Sequence, residues 1–310
     1  MPSETKKIEI LDLRNWSRIA FYVNQLQSYV NYPYELQILI PSGVFAMPGP
    51  TLILGSVIQR IRKYRREHDL DTRVTVGNSY LSYIGFSWLV GAKNATEIGL
   101  PSGSPNHVPI RKLEMADLVC DDTVTKYASN LSEVISPNDN MVRMLLKYTI
   151  QELLRNIAEH SEFRISYLMG QRYRNGTAEI AIVDDGRGVT RALRGRYPEI
   201  ASDSEAVEFA IEPGVTSGSE SRGNAGFGLY VLSELGHRYG AFLLGTGSAA
   251  VYIKPSGRRI VTYNDGLVGT HVSLYYNYNS SKQFREVLRE IVEAGERKTG
   301  SNTKSKSKTI

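Results

Sequence analysis

Cysteine is almost absent: Cys120 is the single one in 310 residues. One thiol cannot close an intramolecular disulfide, and no Cys/His cluster has the spacing of a zinc site. Long apolar runs are also missing. The most hydrophobic stretch, residues 36–58, is broken by Pro41, Pro48 and Pro50 and by Gly43, Gly49 and Gly55, which argues against a membrane span. The opening MPSETKKIEI lacks the apolar core of a secretory signal, so a reduced, cytoplasmic setting is expected. The body of the chain has no excess of either charge. The net charge is +5, and from Arg297 onward Arg297, Lys298, Lys304, Lys306 and Lys308 stand without an acid, leaving the remainder neutral. Residues 297–310 therefore read as a basic, disordered tail, and no specific nucleic-acid surface is expected. Finally, no Gly-x4-Gly-Lys-Ser/Thr segment exists, which removes the P-loop route to a bound phosphate.

The composition, 41% hydrophobic and 22% charged, is that of a soluble chain able to bury cores, and its length suggests two compact units. In the first, Leu36–Ile40 reads as a buried strand, followed by a Pro/Gly loop. A helix from about Thr51 places Leu54, Val57, Ile58 and Ile61 on one face and ends in Arg60, Arg62, Lys63, Arg65 and Arg66. Thr72–Val76 reads as a strand and Tyr80–Val90 as a short apolar helix. A small α/β domain over residues 1–120 follows. A connecting helix is expected over 121–137, ending in Ser136-Pro137-Asn138-Asp139, a helix-start signal for what comes next.

The second domain, 138–280, opens with a helix over Asn140–His160. Its apolar residues Val142, Leu145, Leu146, Ile150, Leu153, Leu154 and Ile157 share a face, and beside them runs a polar stripe of Thr149, Glu152, Asn156 and His160. Arg164–Arg172 and Ala178–Val183 read as strands joined at Arg174-Asn175-Gly176. Ala241–Leu244, Ala250–Lys254, Arg259–Tyr263 and His271–Tyr276 read as an antiparallel meander. Helices are expected over Ser204–Ile211, Leu229–Tyr239 and, beyond the domain, in 281–296. The fold class expected is an α/β domain followed by an α+β sandwich with one mixed sheet under helices.

Three motifs fall in one order: Glu152-Leu-Leu-Arg-Asn156-Ile-Ala-Glu-His160 on the helix, Asp184-Asp185-Gly186-Arg187-Gly188 at a strand end, and Gly223-Asn-Ala-Gly226-Phe-Gly228-Leu229 before a helix. The last is no dinucleotide fingerprint, because no strand leads directly into it. With Gly269-Thr270 opening the final strand, the set resembles the GHKL superfamily of gyrase, heat-shock chaperone ATPases, histidine kinases and MutL. That resemblance covers about Asn138 to Tyr278 and implies the left-handed Bergerat fold with ATP and Mg2+ as ligands. It implies that Asn156 holds the metal and that Glu152 orients or deprotonates the nucleophile. It further implies that Asp184 accepts from the adenine amine, that Gly186 and Gly188 pass under base and ribose, and that Gly226, Gly228 and Thr270 contribute to binding. The chemistry agrees: Mg2+ takes hard oxygen ligands, a carboxylate can act as general base, and an acceptor-only group discriminates adenine from guanine. Asp185 is given no role. His160 is open between a family role and a cap or core histidine. Val189 to Arg222, rich in Gly, Ser and charge, reads as a lid, with Thr216, Ser217 and Arg222 near its end.

The strand, proline loop, helix and strand of the first domain resemble STAS-type modules, which bind proteins; Ser42 and Ser56 are the weak candidates for a phosphorylatable serine. The combination suggests an Mg-ATP-dependent regulatory protein, an ATPase or protein-kinase-like switch controlling a protein–protein interaction through the N-terminal domain, with a homodimer left open. Three alternatives stand beside it. A sensor histidine kinase would use His68-Asp69, but no proline follows and a strand comes next. A chaperone- or repair-type clamp would need a large domain after Tyr278, where about thirty residues remain. A nucleotide-dependent interaction module would bind without turnover.

Overall fold

The computed structural model describes residues 4–92, 106–136, 140–216, 226–277 and 284–299. It is a mixed α/β structure with two sheets, one parallel and three-stranded, one antiparallel and five-stranded. The first is formed by β1 (Lys6–Glu9), β2 (Leu36–Ile40) and β3 (Thr72–Val76), in that order, with Ile8 beside Ile38 and Ile38 beside Val74. Between them run α1 (Trp16–Ser28) and α2 (Pro48–Glu67). The Asn15 side chain caps α1 by accepting from the Ser17 N–H. Pro48 stands in the first turn of α2, where its missing N–H costs nothing, so the helix begins three residues before Thr51. The apolar stretch expected as one helix is two short ones, α3 (Ser79–Tyr83) and α4 (Phe86–Leu89), separated at Gly85.

One cation of α2 holds this unit together. Arg65 has no exposed surface. Its guanidinium donates to the carbonyls of Tyr29, Val30, Tyr32, Tyr34 and Asp71 and to the Thr72 hydroxyl, at 2.7–3.2 Å. The planar fork thereby ties the end of α2 to the turns before β2 and β3, a task that an ammonium could not perform.

The second sheet contains β4 (His107–Glu114), β5 (Ile165–Arg172), β6 (Thr177–Asp184), β7 (Gly240–Lys254) and β8 (Gly257–Asn277), in the order β4-β5-β6-β8-β7. Every pairing in it is antiparallel, which corrects the expected mixed sheet: β5–β6 and β7–β8 are hairpins, and β8 meets β6 in the opposite sense. Residues 107–114, expected within the first unit, form its edge strand. The two strands expected at 259–263 and 271–276 are one continuous β8. Helices α5 (Met115–Val119), α6 (Asp121–Ile135), α7 (Asn140–His160), α8 (Gly188–Arg194), α9 (Asp203–Phe209), α10 (Gly228–Tyr239) and α11 (Phe284–Thr299) complete the described chain. Arg297 and Lys298, expected in a disordered tail, lie in the last turn of α11; residues 300–310 lie outside the described residues.

Every residue of β6 is buried, and the two-residue period of a strand sorts them. Ala178, Ile180 and Ile182 join a core with Leu153, Leu154, Ile157, Leu232 and Leu235 under the helices. Ala181 and Val183 join a different core with Ile53, Leu54, Val57, Ile58 and Phe86 of the N-terminal unit. On the same row as Ala181 and Val183 sits Glu179, fully buried. Its Oε1 accepts from the Gly49 N–H, in the first turn of α2, at 2.9 Å and from the Ser273 hydroxyl at 2.8 Å, while Oε2 has no partner among the described residues. Burial pushes its carboxyl up to about 7 against the pull of those two donors.

The folded chain thus holds a proton on Glu179 that the unfolded chain releases near 4.5, so this group's contribution to stability falls as pH rises from about 4.5 through 7. Glu179→Gln keeps the Oε1 contacts and removes the titration. In unfolding measurements across pH, it should match the wild type near pH 5 and exceed it at pH 8. Glu179→Ala leaves the Gly49 N–H and the Ser273 hydroxyl unpaired and should cost about 1–3 kcal/mol for each such group. Parallel pH profiles for wild type and E179Q would contradict this assignment.

Candidate functional site

At the end of β6 the row facing the helices terminates in Asp184, beside a half-enclosed cavity of about 100 Å³. Asn156, Asp184, Gly188, Gly226, Gly228 and Thr270 line it, brought from α7, the end of β6, the interior of β8 and the turns that open α8 and α10. Apolar side chains make most of the remaining wall: Leu153, Ile157, Ile182, Val189, Leu193 and Val272. Two of the expected site residues flank the cavity without lining it. Gly186 supports Asp184, its N–H donating to Oδ1 at 2.8 Å. Glu152 lies one turn before Asn156, its Oε1 3.3 Å from an Nη of Arg155, and a Cβ built at Gly228 would stand 3.4 Å from the Glu152 Cβ. The start of α10 is therefore held directly against the polar stripe of α7.

The turns need their glycines. Gly188 has φ +75°, and a Cβ there would collide with the Thr246 hydroxyl; Gly226 has φ +68°, and a Cβ would meet the Val215 carbonyl oxygen at 2.6 Å. Thr246, to which the sequence reading assigned no role, stitches the floor. Its hydroxyl donates to the Gly269 carbonyl at 2.9 Å and accepts from the Val189 N–H at 3.1 Å. Ser161 was missed as well: its carbonyl accepts from the Arg187 N–H at 2.6 Å and fixes the turn after Asp184. Both act through short-range backbone contacts of distant segments, which no spacing in the sequence reveals.

Asp184 is the electrostatic centre. It is buried, and among the described residues its Oδ2 has no hydrogen-bond partner. Burial pushes the carboxyl up to about 7, opposed by the Gly186 N–H and by Thr270, with a smaller upward push from Asp185. A buried acceptor without a donor is costly unless a ligand supplies one. Asp185 points to the other face: its Oδ1 accepts from the N–H groups of Arg164 and Ile165 at 2.8 and 2.9 Å.

Within the segment expected as a lid, residues 189–194 belong to α8 and residues 203–209 form α9. Ser202 caps α9 by accepting from the Glu205 N–H. Asp203 accepts from the Thr190 hydroxyl at 2.6 Å and from the Ser248 N–H at 2.7 Å, tying α8, α9 and β7 together. Burial alone would push the Asp203 carboxyl up, but these bonds outweigh it and hold it below its ordinary value. Thr216 lines the cavity; Ser217, Arg222 and Gly223 lie outside the described residues, as does the side chain of His160. His68 is exposed at the end of α2, its ring stacked on Tyr64 at 4.0 Å and its Nδ1 2.8 Å from the Tyr64 carbonyl. Ser42 is exposed in a turn, and the Ser56 hydroxyl donates to the Ile53 carbonyl within α2. Among the described residues no group of three or more His, Cys, Asp or Glu side chains could hold a metal ion by itself, and no helix is long and apolar enough to cross a membrane. No family model, curated protein or solved structure matches this chain.

Burial makes the ionised Asp184 carboxylate unfavourable at high pH. Asp184 holds its proton in the folded chain up to about 7 and releases it near 3.8 when unfolded, so stability is lost as pH rises across that window. Between pH 5.5 and 8, the unfolding free energy of Asp184→Asn should gain on the wild type by ~1–3 kcal/mol. A difference that stays constant with pH would show that Asp184 is not held protonated.

Proposed function

We propose that this chain is an Mg-ATP-binding regulatory protein of the GHKL class, with a Bergerat-type ATP-binding unit and a STAS-like N-terminal module. The observation that carries the reading is the buried, unpartnered Oδ2 of Asp184 at an apolar cavity. An acceptor in that position suits the exocyclic amine of adenine and would oppose the carbonyl of guanine. Apolar walls suit a planar base, and the glycine turns at 186–188 and 226–228 leave backbone close to the cavity with no side chain in the way. The amide oxygen of Asn156 is a hard ligand that suits Mg2+, an ion that keeps most of its waters and shares phosphate oxygens. When bound, the metal would supply neutralisation of phosphate charge.

Glu152 suits a different task. Its carboxylate is on the same side of α7 as Asn156, beside the start of α10, and it can hold or orient the proton of an attacking water or hydroxyl. Arg155 stands within 3.3 Å of it. The chain is therefore proposed to transfer the terminal phosphoryl group of ATP, to water or to a protein, and to signal its nucleotide state through the N-terminal module. Strand β6 supports the coupling, since Asp184 ends one of its rows and Glu179, the cap of α2, belongs to the other.

Mg-ATP and Mg-ADP should raise the melting temperature and GTP should not; at a hundredfold excess over the dissociation constant the gain is roughly 2.7 kcal/mol. Asp184→Asn should remove most of it. Equal stabilisation by GTP would overturn the adenine assignment. Asn156→Ala should weaken Mg-nucleotide binding and turnover together. Glu152→Ala should keep affinity and lose phosphoryl transfer by ~10²–10⁴-fold, followed with γ-labelled ATP. Unchanged turnover in E152A would make this carboxylate structural.

A further inference from the structure

We propose that the chain carries a second ligand site, on the opposite side of Asp184 from the first, that takes a small phosphate-bearing organic molecule. The site is a cavity of about 880 Å³ between α2, α4 and the ends of β5 and β6, within the size range of small-molecule sites. Its walls are cationic. Arg60, Arg62, Lys63 and Arg66 line it from α2, and Arg164 faces them from the start of β5, against Asp69, Asp71, Asp184 and Asp185.

These charges are poorly answered within the protein. Asp185 is engaged by Arg164 and two backbone N–H groups. Lys63 has only a 3.9 Å contact with Glu67, both half-exposed, which contributes little. Among the described residues neither Arg62 nor Arg66 has a carboxylate within ion-pair distance; Arg62 donates only to the Val90 carbonyl, at 2.7 Å. Burial, and then the Arg66 charge, hold the Arg62 guanidinium below its ordinary value. An anion between the two would relieve that repulsion and accept charge-assisted hydrogen bonds from both.

Compensation of the helix dipole does not account for the cluster. The last carbonyls of α2 are met by the N–H groups of His68, Asp69 and Leu70. Arg60 and Arg62 stand before the last turn, where the dipole effect has faded. The cavity also has an aromatic wall: Trp88, 39% exposed, meets Tyr167 edge-on at 6.3 Å, offering a face to the organic part of a ligand. Enclosure by β5 and β6 opposite α2 favours a compact ligand over an extended polyanion, which needs an open cationic strip. Asp184 contributes to the walls of both cavities, so the two sites stand back to back. The second proposal does not depend on what fills the first.

Calorimetric titration of the full chain with inorganic pyrophosphate at low salt tests the site. The wild type should bind one equivalent. Arg62→Ala/Arg66→Ala should weaken binding at least tenfold, and Arg66→Glu, at an exposed position, should weaken it severalfold. Asn156→Ala, which alters the other cavity, should leave pyrophosphate affinity within about twofold. Absence of binding at millimolar pyrophosphate, equal affinity in R66E and the wild type, or loss of binding in N156A would each overturn the proposal.

Discussion

A strand buried on both faces must satisfy two partners at once, and β6 is that strand. None of its eight residues is exposed, so each alternate side chain is committed to one core or the other, and a slip of one residue would exchange the two sets. The commitment explains why the N-terminal unit and the helical layer form one body. Ala181 and Val183 are part of the N-terminal core, while Ile180 and Ile182 are part of the helical one. The two carboxylates of the strand, Glu179 and Asp184, are consequences of the same constraint. Each is buried, each keeps one oxygen bonded, and each leaves the other without a partner among the described residues. Glu179 offsets part of its desolvation by capping α2. Asp184 is bonded within its own turn, by the Gly186 N–H, and lines a cavity, which is why it reads as a site for a ligand.

Periodicity made much of the second unit legible. The apolar face of α7 and the polar stripe beside it follow from the 3.6-residue repeat, and the structure buries Leu153 and Leu154 with Glu152 and Asn156 alongside. The motif residues lay at the ends of recognisable elements, and a fold that brings element ends together makes such residues neighbours. Ala178–Val183 was legible as a strand, yet nothing in it said that α2 would supply a second cover. That information resides in the partner surface. The edge strand β4 was hidden for a local reason: its sequence, His-Val-Pro-Ile-Arg-Lys-Leu-Glu, contains a proline at a register shift and little alternation.

Arginine chemistry was the least legible feature. Arg60, Arg62, Arg65 and Arg66 look alike as a basic helix end, but the structure gives them unlike tasks. Arg65 is internal and replaces water for five carbonyl groups and a hydroxyl. Arg60 clamps the Gly266 carbonyl of β8 at 3.2 Å, and Arg62 and Arg66 face a cavity. The difference is set by rotation around α2 and by what packs there, and the sequence carries the first but not the second.

The central claim is that the Asp184 carboxyl is held in its neutral form until an adenine amine arrives to need an acceptor. Proton exchange on binding measures this directly. Titration of Mg-ADP into the chain at pH 7, with Mg2+ in excess so that the phosphates are already ionised, can be run in buffers of different ionisation enthalpy. With the carboxyl titrating at about 7, binding should release about half a proton in the wild type and none in Asp184→Asn. Binding without proton release, or with the same release in both proteins, would contradict the account.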